Sequence, residues 1–308
     1  MRVPKLAALL AVVPLVLAVA ACGSDDGSDV RQVGSDGSAS GSGSGSASGS
    51  GSASGAGSGS GISTTGLETT SSDPLIQAAV ADYTTYVNSQ VDELIARTTT
   101  FTDAVRAGNV AAAKAAFAAS REPWEAIDGA VDARVDDFED EQDPAFTGWH
   151  RIEYILWEQN TTEGAAEFAD QLDEDLATLK TDIADVDITP LAVTQGSAEL
   201  IEEVSEGKIT GEEDRYSHTD LWDFAANVAG SEKAFELMKP AVEEADPELA
   251  AAIESDFSDI DAALAKYEDG DGYKSYEELT EADKDEMKAI LASLSENLAK
   301  VPGVLGLG

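Results

Sequence analysis

His150 and Glu153 lie three residues apart in the segment Gly-Trp-His-Arg-Ile-Glu, and the chain of 308 residues contains only two histidines. On a helix, side chains three residues apart share one face, with their Cβ atoms about 5–6 Å apart. An imidazole and a carboxylate placed in this way can bind one metal ion. The pair alone is a weak signal, because a buried hydrogen-bonded histidine, or one that pairs with Arg151, would have the same spacing.

Two further segments could contribute ligands to the same metal. Glu122 and Glu125 have the same one-turn spacing on either side of Pro123, and the second histidine, His218, stands two residues before Asp220. Imidazole and carboxylate ligands without sulfur suit iron, zinc or manganese rather than copper(I). We therefore expect a metal site if the three segments meet in one cleft. Each carboxylate could instead be a solvated helix charge or, for Asp220, a helix cap.

Asp223 could also contribute a ligand, but we favour its interpretation as a surface residue. We interpret Trp124, Trp149 and Trp222 as core packing in preference to a ligand platform.

The segment Asp-Gly-Asp-Gly-Tyr at 269–273 resembles part of an EF-hand calcium loop. Glu278 has the right spacing for the last position of such a loop, but Tyr267 and Lys274 stand where the loop needs an aspartate and an apolar residue. We interpret the segment as an acidic turn between two helices.

The first 22 residues are predicted to be a lipoprotein signal peptide. Arg2 and Lys5 precede an apolar run over 6–20, which is too short for a confident membrane span. Small residues then precede Cys22, which is the predicted site of lipid attachment and the only cysteine of the chain. The rest of the chain therefore offers neither a disulfide nor a thiolate metal site.

Residues 23–72 are predicted to be a disordered tether, because most of this segment is glycine, serine and alanine. About fifty residues of such a chain have an r.m.s. reach of about 40 Å. A folded part on this tether could search the space above a membrane.

The chain has 60 acidic and 19 basic residues, for a formal net charge of -41. This charge argues against binding nucleic acid or anionic lipid headgroups through a basic patch. It favours solubility and raises the local cation concentration, and a high-salt habitat would explain it equally well.

Residues 73–308 are predicted to form an all-α domain of eight helices, arranged as two packed four-helix up-and-down bundles. The second helix is expected to pass through Pro123 and to end near Phe138. No convincing strand pattern occurs. The helices are expected to begin near Asp73, Asn109, Trp149, Thr162, Thr189, Thr219, Asp246 and Thr280.

Several blocks of the chain resemble the imelysin-like family, and within it the EfeO and EfeM type of iron-uptake protein. The matching blocks are SREPWEAID from Ser120, FTGWHRIEYILWE from Phe146, KITGEEDRYSHTDLWDFAANVAGSEKAFELMKP from Lys208 and KYEDGDGYKSYEELT from Lys266. The resemblance implies a helical domain whose cleft holds a divalent or ferric ion, beside a membrane permease and a haem-dependent peroxidase-like partner.

The resemblance also implies which residues bind the ion. The family's Gly-x-His-x-x-Glu motif falls on Gly148, His150 and Glu153. The other blocks carry Glu122, Glu125, His218 and Asp220. Longer family members have an N-terminal cupredoxin domain, whereas residues 23–72 read as the tether, so no copper or iron-oxidising step is expected from that region.

The sequence therefore predicts a lipid-anchored, extracytoplasmic iron-binding protein that delivers Fe²⁺ or Fe³⁺ to a membrane permease without being an enzyme. The alternative is a zinc peptidase that uses the His-x-x-Glu motif with His218, and Glu125 as general base. A sugar-binding role is a third hypothesis, but the negative charge would repel acidic polysaccharides unless a metal bridges them.

Overall fold

The computed structural model describes residues 71–130 and 146–307, which are almost entirely helical. The predicted signal peptide, Cys22 and nearly all of the predicted tether lie outside these residues. The helices are α1 Pro74–Arg106, α2 Val110–Glu125, α3 Gly148–Trp157, α4 Ala166–Ile183, α5 Pro190–Glu206, α6 Asp220–Ala245, α7 Pro247–Leu264, α8 Glu281–Leu298 and α9 Val301–Val304. The predicted all-α class is confirmed.

Local capping explains where several helices begin. The side chains of Asp73, Thr189 and Asp246 accept hydrogen bonds from backbone N–H groups two or three residues ahead, and each is followed by a proline at the first helical position. The hydroxyl of Thr280 accepts from the backbone N–H of Asp283 at 3.2 Å. These starts agree with the sequence prediction.

The end of α2 differs from the prediction, which extended this helix to about Phe138. The helix ends at Glu125, and a short 3₁₀ turn follows at Asp128–Ala130. Pro123 cannot donate to the carbonyl of Ala119, which instead accepts from Arg97 Nη1 at 3.3 Å. Phe138 itself lies outside the described residues.

Helices α1 to α8 form two groups of four. In the first group α1 packs against α2 and α4, and α3 packs against the same two helices. In the second group α5 packs against α6 and α8, and α7 packs against these two. Helix α6 also packs on α1 and α2, so it joins the groups. This arrangement agrees with the predicted pair of four-helix bundles.

The apolar stripe of α1 lies in the core. Its fully buried members include Tyr83, Val87, Val91, Leu94 and Phe101. Within residues 71–130 and 146–307, none of the helices has both the length and the apolarity needed to cross a bilayer.

The acidic segment after α7 forms a small antiparallel hairpin, with strands β1 Glu268–Asp269 and β2 Gly272–Tyr273. It packs against Trp222, whose Nε1 donates to the carbonyl of Tyr273 at 3.2 Å. A Cβ atom on Gly272 would lie only 1.7 Å from the ring of Trp222. The segment is a turn between two helices, as the sequence predicts, and it packs against α6, although the strands themselves were not expected.

Candidate metal site

The motif of α3 lies inside the protein. His150 and Glu153 are 2% and 0% exposed, and His150 Nδ1 lies 3.4 Å from Glu153 Oε2. The other side chains of this short helix are mostly apolar and buried, so the pair is held in the core.

The connection between α5 and α6, residues 207–219, orients the carboxylate of Glu153. The backbone N–H groups of Tyr216 and Ser217 donate to Glu153 Oε1 at 3.1 and 2.7 Å. These bonds orient the carboxylate, so that its second oxygen faces His150.

Asp214, from the same connection, completes a group of three donors. Its Oδ1 lies 3.8 Å from His150 Nδ1 and has no hydrogen-bond partner, while its Oδ2 accepts from the hydroxyl of Thr219. One donor atom each from His150, Glu153 and Asp214 lie within 4.8 Å of one another. We call these three residues the imidazole set. An imidazole and two carboxylates at this separation can bind a single metal ion.

A second group of donors, Glu125, Glu213 and Asp223, surrounds Arg121, and we call it the arginine set. Nη2 of Arg121 lies 2.7 Å from Glu125 Oε1 and 2.8 Å from Glu213 Oε1, and its Nε lies 3.1 Å from Asp223 Oδ2. The guanidinium therefore contacts all three carboxylates.

Lys208 provides a second buried cation. Its Nζ lies 2.7 Å from Glu125 Oε2 and 3.0 Å from both Glu203 Oε1 and Glu213 Oε2. Although burial acts in the opposite direction, the charges of Lys208 and Arg121 lower the pKa of Glu125. Glu125 is therefore an ionised partner of two cations.

Negative charge is in excess in this region. Arg121 and Lys208 contact five carboxyl groups, which belong to Glu125, Glu203, Glu213, Asp214 and Asp223. The carboxyl groups of Glu153 and Asp220 lie near Asp214 and add to this charge. Burial, followed by the charges of neighbouring carboxylates, raises the pKa of Asp214 well above its usual range. Burial is also the main cause that raises the pKa of Asp223 to about 7. A bound cation would compensate this excess.

Comparison with known proteins identifies the family. The Imelysin family model, which carries a peptidase label, matches residues 79–131 and 125–301. The chain belongs to the Imelysin family. The resemblance inferred from the sequence, including the EfeO type, is confirmed by relatives that bear this name.

Two relatives illustrate the similarity within the Imelysin family. The protein named iron uptake system component EfeO in Yersinia pseudotuberculosis is 48% identical over 239 residues, which cover 74% of this chain and 64% of the relative. The protein of the same name in Escherichia coli is 45% identical over 249 residues, which cover 77% of this chain and 66% of the relative. The chain thus spans about two thirds of the length of these relatives.

The structure of this Imelysin family member brings four of the six predicted ligands into one buried region, namely His150, Glu153, Glu125 and Asp220. Asp220 is the first residue of α6, its Oδ1 accepts from the backbone N–H of Asp214 at 3.2 Å, and its Oδ2 is buried without a hydrogen-bond partner. The ligand roles of these residues stay predictions.

The structure places the other two predicted ligands differently. Glu122 is half-buried and its carboxylate pairs with Arg97 of α1. His218 is partly exposed and has a left-handed backbone, with φ 59°. Its backbone N–H donates to the carbonyl of Asp214 at 2.7 Å. Among the described residues, neither side chain belongs to a group of three donors within 4.8 Å.

Two buried carboxylates near the Imelysin motif were not among the six predicted ligands. Asp214 belongs to the imidazole set, and the interpretation of Asp223 as a surface residue is wrong because this side chain is 0% exposed. One signal was present in the sequence, since Asp220 and Asp223 repeat the one-turn spacing of His150 and Glu153.

Proposed function

We propose that this chain is an extracytoplasmic iron-binding protein, anchored to a membrane through a lipid on Cys22, that captures iron and delivers it to a membrane permease. The observation that carries the proposal is the imidazole set, His150, Glu153 and Asp214, buried beside an excess of carboxylates. The names of the EfeO relatives support an iron-uptake role.

The donor chemistry suits reversible binding of Fe²⁺ or Fe³⁺, with zinc as a competing ion. One neutral imidazole and two carboxylates can hold such an ion, and the ion adds positive charge where the protein lacks it. Because burial raises the pKa of Asp214, a proton competes with the metal for this carboxylate. This competition would keep the bound iron exchangeable.

Delivery requires partners, and they form part of the proposal. The resemblance points to a membrane iron permease and a haem peroxidase-like protein, reached from the membrane by way of the tether. With a net charge of -41 the chain is not expected to bind nucleic acid.

The test is the metal affinity of the purified chain, with anaerobic Fe²⁺, weakly chelated Fe³⁺, Zn²⁺ and Mn²⁺ in competition. The variant His150→Ala should weaken iron binding on the order of 100-fold or more, because it removes a direct ligand. The other histidine supplies the matched control, and His218→Ala should weaken binding less than about 10-fold. Iron binding that is unchanged in His150→Ala would refute the proposed site.

The second candidate function is a zinc peptidase, which the label of the Imelysin family favours. The proposed general base, Glu125, makes this candidate weaker, because Lys208 and Arg121 lower its pKa and so make it a poorer proton acceptor. Two results together would favour the peptidase. The chain would bind zinc in preference to iron, and its zinc-dependent peptide hydrolysis would disappear in Glu125→Gln.

A further inference from the structure

Arg121 occupies the position that a metal ion would take in the arginine set. It is 2% exposed, and its guanidinium contacts Glu125, Glu213 and Asp223 at 2.7 to 3.1 Å. A guanidinium is charged at every physiological pH and its fork of N–H donors matches carboxylates. The cation that these three carboxylates need is therefore supplied by the chain itself.

Asp214 connects the arginine set to the imidazole set. The same oxygen, Oδ1, lies 3.8 Å from His150 Nδ1 and 3.7 Å from Arg121 Nε. In two-metal sites the ions lie about 3.5–4 Å apart, and helical proteins build such sites from glutamates and histidines on facing helices. The two sets likewise share a carboxylate, Asp214, and a guanidinium lies in one of them.

Lys208 shows the same pattern in the third group of donors, which consists of Glu125, Asp128 and Glu203. Its ammonium group contacts Glu125 and Glu203 at 2.7 and 3.0 Å. Both groups made only of carboxylates thus contact a basic side chain, whereas the remaining group includes the imidazole of His150 as a donor.

We propose that Arg121 is a specificity-determining residue that fills a second metal position, so that the chain binds one metal ion instead of a pair. This inference rests on the proposed function, because it requires that the imidazole set binds metal. A single ion next to a fixed cation is also repelled by that cation, which favours release over retention.

The test is the number of ions bound per chain, measured by metal analysis after equilibrium dialysis against Zn²⁺ and, separately, against anaerobic Fe²⁺. The unmodified chain should bind one ion, and Arg121→Met should bind two, because methionine fills space without charge. Arg121→Lys is the matched control and should still bind one ion, since it keeps a positive charge at this position. One ion in a folded Arg121→Met chain, or two His150-dependent ions in the unmodified chain, would overturn the inference.

A second variant covers the case in which Arg121→Met does not fold. Asp223→Asn removes one carboxylate of the arginine set and keeps Arg121. If the carboxylates of the arginine set bind the guanidinium and not a metal ion, Asp223→Asn should change the metal affinity less than about threefold. If Asp223 is a metal ligand, its loss should lower the metal affinity more than about 10-fold, and this result would overturn the inference. Absence of metal binding by the unmodified chain would refute the proposed function, while two ions would refute only the role of Arg121.

Discussion

Buried and partly buried acidic side chains of this protein differ in what compensates their charge. Glu125 lies between two cations, and its pKa is lowered. Glu199 of α5 has a buried oxygen without a hydrogen-bond partner and lies near Glu202 and Glu203. Burial first, and these two charges second, raise the pKa of Glu199 to about 7. Ionisation of Glu199 therefore opposes folding, in contrast to ionisation of Glu125.

We expect Glu199→Gln to stabilise the protein at neutral and alkaline pH. The folded pKa of about 7 exceeds the ordinary value of 4.5, so stability falls as pH rises through this interval. After allowance for solvent screening, the variant should gain about 1 kcal/mol at about pH 8 and nothing at about pH 4.5. Urea denaturation in the presence of a chelator at both pH values measures this difference.

The control for this experiment is Glu206→Gln, an exposed glutamate near the end of the same helix. Its effect should be within about 0.5 kcal/mol at both pH values. An equal gain by Glu199→Gln at both pH values would show that charge is not the cause.

The sequence predicted only part of the candidate site at the level of single residues. His150 stood out because histidine is rare here, and Glu153 stood out by its spacing from it. Asp214 is one of 60 acidic residues and has no local feature that distinguishes it. Its position depends on how the connection before α6 folds back onto α3, which is a tertiary property.

At the scale of helices, the end of α2 lies very close to α6. A Cβ atom on Gly230 would lie 2.1 Å from the backbone oxygen of Ala126. Nearby, Asn227 Nδ2 donates to the carbonyl of Glu125 at 2.8 Å. Glycine at position 230 thus allows α6 to bring its polar residues to the arginine set.

We expect Gly230→Ala to destabilise the protein by about 1–3 kcal/mol, because the added methyl group must separate α6 from the end of α2. Chemical denaturation measures the effect. Gly303→Ala is the matched control, since nothing lies within 4 Å of a Cβ atom on this glycine of α9. Its stability should be unchanged or slightly increased. Similar losses in both variants would mean that the close approach at Gly230 is not the cause.

Helix starts could be predicted from the sequence because capping is local. Asp73, Thr189 and Asp246 each combine a capping side chain with a following proline. The end of α2 could not be predicted in this way. The chain turns where Gly129 packs on α5, with a Cβ atom there only 2.8 Å from the carbonyl oxygen of Gly196, and no local signal reports that contact.

For the whole molecule, the net charge of -41 is the dominant electrostatic property. Repulsion among so many carboxylates opposes the compact state, and salt screens it with a Debye length of about 10 Å at 0.1 M.

We expect the thermal midpoint of unfolding to rise on the order of 5 °C between low salt and about 1 M NaCl, because salt screens this repulsion. KCl should act equally, because screening depends on ionic strength; a rise with only one salt would indicate a specifically bound cation.

The arrangement in two groups of four helices followed from helix number and short connections. The role of α6 in joining the groups did not, because contacts of α6 with α1 and α2 link residues distant in the sequence. Asp220 and Asp223 at the start of α6 are buried, although Asp223 was interpreted as a surface residue.

The imidazole set takes His150 and Glu153 from the first group of helices and Asp214 from the connection that leads into the second. An ion held there would act as a removable crosslink in a chain whose single cysteine allows no internal disulfide. Resistance to unfolding would then depend on the concentration of the cargo itself, rising with the logarithm of the free metal. Loaded and empty molecules would differ in rigidity, and a partner could distinguish them without contacting the metal.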